Sequence, residues 1–176
     1  MHLSYTARSS DLLREQMEGT NAELSKQLRD VTFRRLFNLH HEFPTEFHRL
    51  TGAPAGAEVE FSIEERHLPY FLKGRTLNLG EAVLLGADVG PVQTVGTLKL
   101  QLNGKPVETW TGNSQVGGGP ACDVKSALGN LVGQHTLKVV DAGQLGPDAG
   151  TVQSAMTFDP AKLRDLLLYC EFKIQS

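Results

Sequence analysis

Residues 166–174, LLLYCEFKI, constrain this chain more than any other stretch. Leu166, Leu168, Cys170, Phe172 and Ile174 occupy every second position. Successive side chains of a strand point to opposite faces, so a five-fold apolar alternation describes a strand with one buried face. Its place at the end of the chain, in the run RDLLLYCEFKI, puts it centrally in a sheet. Shorter stretches repeat the signal. In AEVEFSIEE, Val59, Phe61 and Ile63 alternate with Glu58, Glu60, Ser62 and Glu64, giving one wet and one dry side. Further strands are predicted in VTFRRLFNLHHEF, RTLNLGEAVLLGA, GTLKLQL, VETW, HTLKVV and SAMTF. Gly80 reads as a bulge. Asn103-Gly104 reads as a two-residue hairpin turn, because both residues accept positive φ at low cost. Pro106 donates no ladder hydrogen bond, so the strand returning from that turn sits at a sheet edge or starts late.

Before this β-rich region the pattern differs. From Ser10 to Asp30 the chain has no proline and many charges, and Ser10 is a good helix N-cap. Leu13, Met17, Leu24, Leu28 and Val31, with Thr20 in the gap, recur at spacings of three and four. That narrow stripe fits a helix lying along the body of its own domain or a strand of a coiled coil that packs on a partner. The predicted organisation is therefore an N-terminal helix with a disordered start over residues 1–30, then an antiparallel β-sandwich of about eight strands over residues 31–176. TGNSQVGGGPACDVKSALGN and DAGQLGPDAG read as its two long loops.

Composition narrows the function classes. Lys+Arg 17 against Asp+Glu 20 leaves a net charge of −3 and none of the basic surplus that holds phosphate backbones, so nucleic acid is not an expected partner. Cys122 and Cys170 are too few and too far apart for a disulfide scaffold or a paired-ligand zinc site, and read as buried thiols. No apolar run approaches the roughly 20 residues of a bilayer span, and the N-terminus lacks a signal-peptide core. Such a start is also what a boundary inside a longer protein looks like.

The densest group of chemically capable side chains is LHHEFPTEFHRL. On a strand, His40 and His41 would face opposite ways, and His48, on a short helix after Pro44, completes neither HxH nor HxxxH. No metal site is expected. Ser114 and Ser126 lack the G-x-S-x-G context of an elbow nucleophile, Glu64-Glu65 reads as a solvated edge, and VGGGP lacks the lysine of a phosphate loop. Asp141, Asp148 and Asp159 lack D-x-D spacing for calcium. No catalytic residue and no cofactor are expected. Recognition is assigned to the loops, with Trp110, Asn113, Gln115, Asp123, Gln144 and Asp148 as candidate residues. Trp110 stacking on a sugar would make a carbohydrate-binding module, which is the alternative reading.

RHLPYFLKGRTLNL joins an acidic strand to an apolar one through large side chains. Gly74 permits a reversal and Arg75 is available to a carboxylate. With FNLHHEFPTEFHRL, Pro54 and the terminal LRDLLLYCEFKI, this segment resembles the C-terminal region of the large A-component proteins of Tc insecticidal toxin complexes. The matching positions are Phe37, Leu39, Glu42, Phe43, Pro44, Phe47, His48, Arg49, Pro54, Leu68, Pro69, Tyr70, Phe71, Gly74 and Arg75. Of these, Phe43, Pro44, Phe47, Arg49, Pro69, Tyr70, Phe71, Gly74 and Arg75 form the motif expected to close one end of the sandwich. The resemblance implies a non-enzymatic domain that follows pore-forming helices and docks a partner subunit in a secreted bacterial toxin assembly. Self-association through the N-terminal stripe is the companion expectation. Members of that family are far larger, with receptor-binding and pore-forming regions that this chain lacks.

Overall fold

The strand spanning Asp165–Ile174 lies between two others and organises one of the two sheets. The computed structural model describes residues 19–20, 23, 27–28, 30–52, 56–87, 97–112, 120–146, 158–159 and 162–175. Among these, nine strands form two antiparallel sheets: β1 (Phe33–Asn38), β2 (Glu58–Ile63), β3 (Leu77–Ala87), β4 (Lys99–Leu102), β5 (Lys105–Val107), β6 (Thr111–Gly112), β7 (Pro120–Asp123), β8 (Gly133–Asp141) and β9 (Asp165–Ile174). One sheet has the order β1-β9-β3-β7-β6 and the other β2-β8-β4-β5. The mainly β, antiparallel expectation holds, and β9 has a neighbour on each side, the central position expected from its place in the chain. Leu166, Leu168, Cys170, Phe172 and Ile174 are all buried and join Val59, Phe61, Ile63, Leu100, Leu137 and Val139 of the other sheet in one core cluster.

Gly80 is the bulge. The register between β3 and β9 slips between Leu79 and Glu81. One extra residue reverses which parity faces inward. Leu77 and Leu79 pack on the core before it, Ala82 and Leu84 after it, while Val83 and Leu85 form a second cluster with Ala121, Leu167 and Tyr169. Asn103 and Gly104 take φ 51° and 75°, the mirror-image turn expected of this pair. Pro106 lies on the edge strand β5.

Some expectations fail for a local reason, and others fall outside the described residues. The strand predicted through Phe43 stops at Asn38, whose Oδ1 accepts the His41 N–H at 2.8 Å and caps helix α1 (Leu39–Glu42). Glu42 reinforces the switch by accepting from Asn38 N at 3.1 Å and from Arg35 at 2.7 Å. Helix α2 (Pro44–Gly52) follows. The long loop predicted after Trp110 contains β6, β7 and the short helix α3 (Lys125–Leu128). The VETW strand is displaced: β5 ends at Val107 and pairing resumes at Thr111. SAMTF lies outside the described residues except for Phe158, which is fully buried. Of the N-terminal stripe, Leu13, Met17 and Leu24 lie outside the described residues. Leu28 is helical and packs against the core. Val31 is not part of that helix: its N–H closes a turn onto Leu28 O at 3.2 Å, and its side chain is 39% exposed.

A buried polar network ties the second sheet to α3. Asn103 Nδ2 donates to the carbonyls of Ala127 (3.0 Å) and Leu128 (3.3 Å) and to His135 Nδ1 (3.2 Å), and Asn103 Oδ1 accepts from Thr136 N at 2.9 Å. Because Nδ1 of His135 accepts, its proton sits on Nε2 and is donated to Leu131 O at 3.2 Å. His135 is 3% exposed, and desolvation holds its pKa below the ordinary imidazole value, with the Leu131 carbonyl opposing.

Two outcomes follow from this network. Asn103→Gly keeps the positive φ but removes the side-chain bonds, so it lowers the unfolding free energy by about 2 kcal/mol in urea titrations. The unfolded chain takes up the His135 proton more readily than the folded one. The stability contributed by neutral His135 is therefore complete above the unfolded pKa, about 6.5, and is lost as pH falls below it. Melting temperatures at pH 7.5 and 5.0 will differ more in the native protein than in His135→Gln.

Candidate functional site

Two large aromatics lie opposite to the roles expected of them: Trp110 is in the core and Tyr70 is at the surface. Trp110 is 7% exposed, and its indole Nε1 donates to Leu98 O at 2.8 Å. Its ring belongs to the core cluster and offers no face to a sugar, so the carbohydrate reading loses the residue it rested on. Asp123 is exposed at the end of β7, where Oδ1 accepts from Lys125 N at 2.9 Å and shapes the turn into α3. Gln144 lies on a 3-10 turn (Gly143–Leu145), and its backbone N–H donates to Thr97 Oγ1 at 3.0 Å. Asn113, Gln115 and Asp148 lie outside the described residues.

The segment between β2 and β3 is built as a rigid platform. A 3-10 turn at Glu65–His67 is closed reciprocally by Glu64 and His67, with His67 Nδ1 accepting from Glu64 N at 3.0 Å. A second turn, Tyr70–Leu72, starts after Pro69 and ends before Gly74, whose φ of 71° makes the reversal. Glu65 Oε1 accepts from Gly74 N at 3.0 Å and joins the two turns. Among the described residues Arg75 forms no ion pair with a carboxylate. Its Nε donates to Phe71 O at 3.0 Å, bracing the second turn from behind.

On this platform the buried side chains are Leu68 and Leu72, whereas Tyr70 is 89% exposed. Of the large side chains expected to close the fold here, Tyr70 stays outside, because a single helical turn cannot aim all three of its side chains inward and Phe71 and Leu72 face the core. Tyr70 instead heads a ladder of rings running into the core. Its ring meets Phe71 edge-on at 5.7 Å, Phe71 meets Phe33 at 5.8 Å, and Phe33 stacks on Phe172 at 5.8 Å. Exposed Val31 lies two residues before Phe33. Tyr70 is thus an exposed ring on a hydrogen-bonded backbone, backed by other rings.

The other residues of the closing motif divide by position. Phe43 and Phe47 are buried, with Phe43 contacting Phe61 at 5.4 Å and the His67 ring edge-on at 5.3 Å. Pro44 opens α2, where its missing N–H costs nothing, and Arg49 is exposed. His40 and His41 share a helical turn, so their rings stack at 5.3 Å and do not diverge as a strand would require. His40 also stacks on Phe47 at 5.0 Å. Among the described residues no group of three or more His, Cys, Asp and Glu side chains is placed to hold a metal ion. No helix among them is long and apolar enough to cross a membrane.

One polar cluster lies on the outer face of the five-stranded sheet. Tyr169 OH (2.5 Å) and Arg34 Nε (2.6 Å) both donate to Glu171 Oε1. Burial and then the Glu171 bond push the Tyr169 pKa up to about 12, and Glu171 is held below its ordinary value, chiefly by the Tyr169 bond and then by Arg34. A phenol so poised keeps its proton, and the arrangement reads as a sheet-surface tie.

No protein-family model matches the chain, and no curated protein is significantly similar to it.

The platform predicts a division of labour between neighbours. In urea unfolding, Tyr70→Ala stays within about 0.5 kcal/mol of the native protein, as for other exposed positions. Leu72→Ala, which empties a site 2% exposed, loses about 2–4 kcal/mol.

Proposed function

We propose that this chain is a non-enzymatic docking domain, with its two sheets closed as a β-sandwich, and that it engages a protein partner subunit through the surface around Tyr70. The observation that carries the reading is an aromatic side chain 89% exposed and backed by rings down to Phe172. Tyrosine is enriched among interface hot spots because it offers a large contact area with few rotatable bonds to freeze. A platform already fixed by backbone bonds adds little ordering cost on association.

The resemblance to the C-terminal region of Tc toxin A components supports the same reading, since the segment carrying Tyr70 is one of those that carry it. In that setting the partner is another subunit of a toxin assembly. The apolar spacing from Leu13 to Val31 is the companion basis for self-association. Burial of Trp110 leaves sugar binding without its supporting ring.

Site-specific photo-crosslinking tests the proposal. With benzoylphenylalanine at position 70, the chain expressed in its native host gives a discrete protein adduct, identified by mass spectrometry. The same probe at exposed Lys99, on the other sheet, gives none. Identical adducts from both positions, or no adduct from position 70, overturn the docking surface.

A further inference from the structure

Helices α1 and α2 and the residues just before β9 enclose a cleft of about 560 Å³, within the range of small-ligand sites. Exposed His40, His41, His48 and Arg164 line it together with buried Phe47 and Leu163. We propose that this cleft binds a carboxylate carried on an aromatic or branched apolar body. The proposal is independent of docking at Tyr70.

Charge is segregated here in a way the composition does not require. The chain is net negative, yet the described lining of this cleft contains no carboxylate. A neighbouring cleft between these helices and β2 holds Glu42, Glu46, Glu60 and Glu64, with Arg66 and His67 beside them and Arg66 paired to Glu64 at 3.1 Å. The closest acid in sequence to Arg164 is Asp165, and it is turned inward: it is 9% exposed, and its Oδ1 accepts from His40 N (3.1 Å) and Leu166 N (2.7 Å). Lys162, from the same segment, donates to Gly146 O at 3.0 Å. Arg164 has no ion pair among the described residues. Its planar fork matches a carboxylate through two parallel bonds.

The apolar half of the ligand is specified by the rings. His41, His40 and Phe47 form a continuous stack, with interplanar angles of 11° and 23°. A ring or branched side chain lies against such a plate with good contact, while imidazole N–H groups supply further donors. Thr51 adds none, because its hydroxyl donates to Phe47 O (3.1 Å) and His48 O (3.2 Å). The site therefore asks for one anionic group and one flat or branched apolar group.

Titrations with phenylacetate, N-acetyl-Gly-Phe and the amidated form of that dipeptide, followed by amide resonances in ¹H–¹⁵N spectra, test this. Both free acids should shift residues 40–51 and 163–165, the amide should not, and Arg164→Gln should weaken binding about tenfold or more while Arg49→Gln leaves it unchanged. A tighter dipeptide points to a chain terminus as the natural ligand and equal affinities to a free acid, and either outcome supports the site. If Arg164→Gln fails to fold, Arg164→Lys, which keeps the charge but loses the fork, should still weaken binding. Absence of shifts at millimolar ligand, equal binding of the amide, or undiminished binding to the folded Arg164 variant overturns the proposal.

Discussion

Everything in this fold hangs on the two-faced burial of β9. Its even-numbered face from Leu166 to Ile174 fills the main core, and its odd face supplies Leu167 and Tyr169 to the second cluster over β3 and β7. A slip of one residue against β3 would exchange the two sets, so the register is strongly specified. That register in turn sets where Asp165 lies. Through its bond to His40 N the start of β9 holds α1, and with α1 it positions both the cationic and the acidic clefts. At the other end, the pairing of Phe33 with Phe172 fixes the ring ladder that supports Tyr70.

The parts of this architecture readable from sequence are those where one face is wet. β2, β4 and β8 alternate cleanly because their outward positions carry Glu, Lys and Gln side chains. The Gly80 bulge and the Asn103-Gly104 turn were legible because special backbone geometry demands special residues. β7 was not legible. Pro120, Ala121 and Cys122 are buried on both faces, which erases the alternation, and the strand is too short to show itself otherwise. The strand-to-helix switch at Asn38 was missed because Leu39 and Phe43, four apart, satisfy a helical spacing as well as a strand one. The deciding signal was the asparagine, a strong N-cap followed four residues later by Glu42.

The candidate site was legible as a segment and misread residue by residue. Large aromatics are assigned inward or outward from sequence by neighbouring context, and both Trp110 and Tyr70 reversed that assignment. Trp110 was free to enter the core because its one polar atom found the Leu98 carbonyl. Tyr70 stays outside because Phe71 and Leu72 take the inward directions available in a single turn. His135 went unnoticed, although its parity in HTLKVV matches Leu137 and Val139 and points it into the core.

The two cysteines follow from the same packing. Cys170 is fully buried and its thiol is pushed up to about 12, and burial raises Cys122 as well. The thiolate is the reactive form, so neither sulfur meets an alkylating reagent until the strands around it part. Modification of these thiols therefore requires the sheets to open, so that labelling of either sulfur reports the opening of the fold.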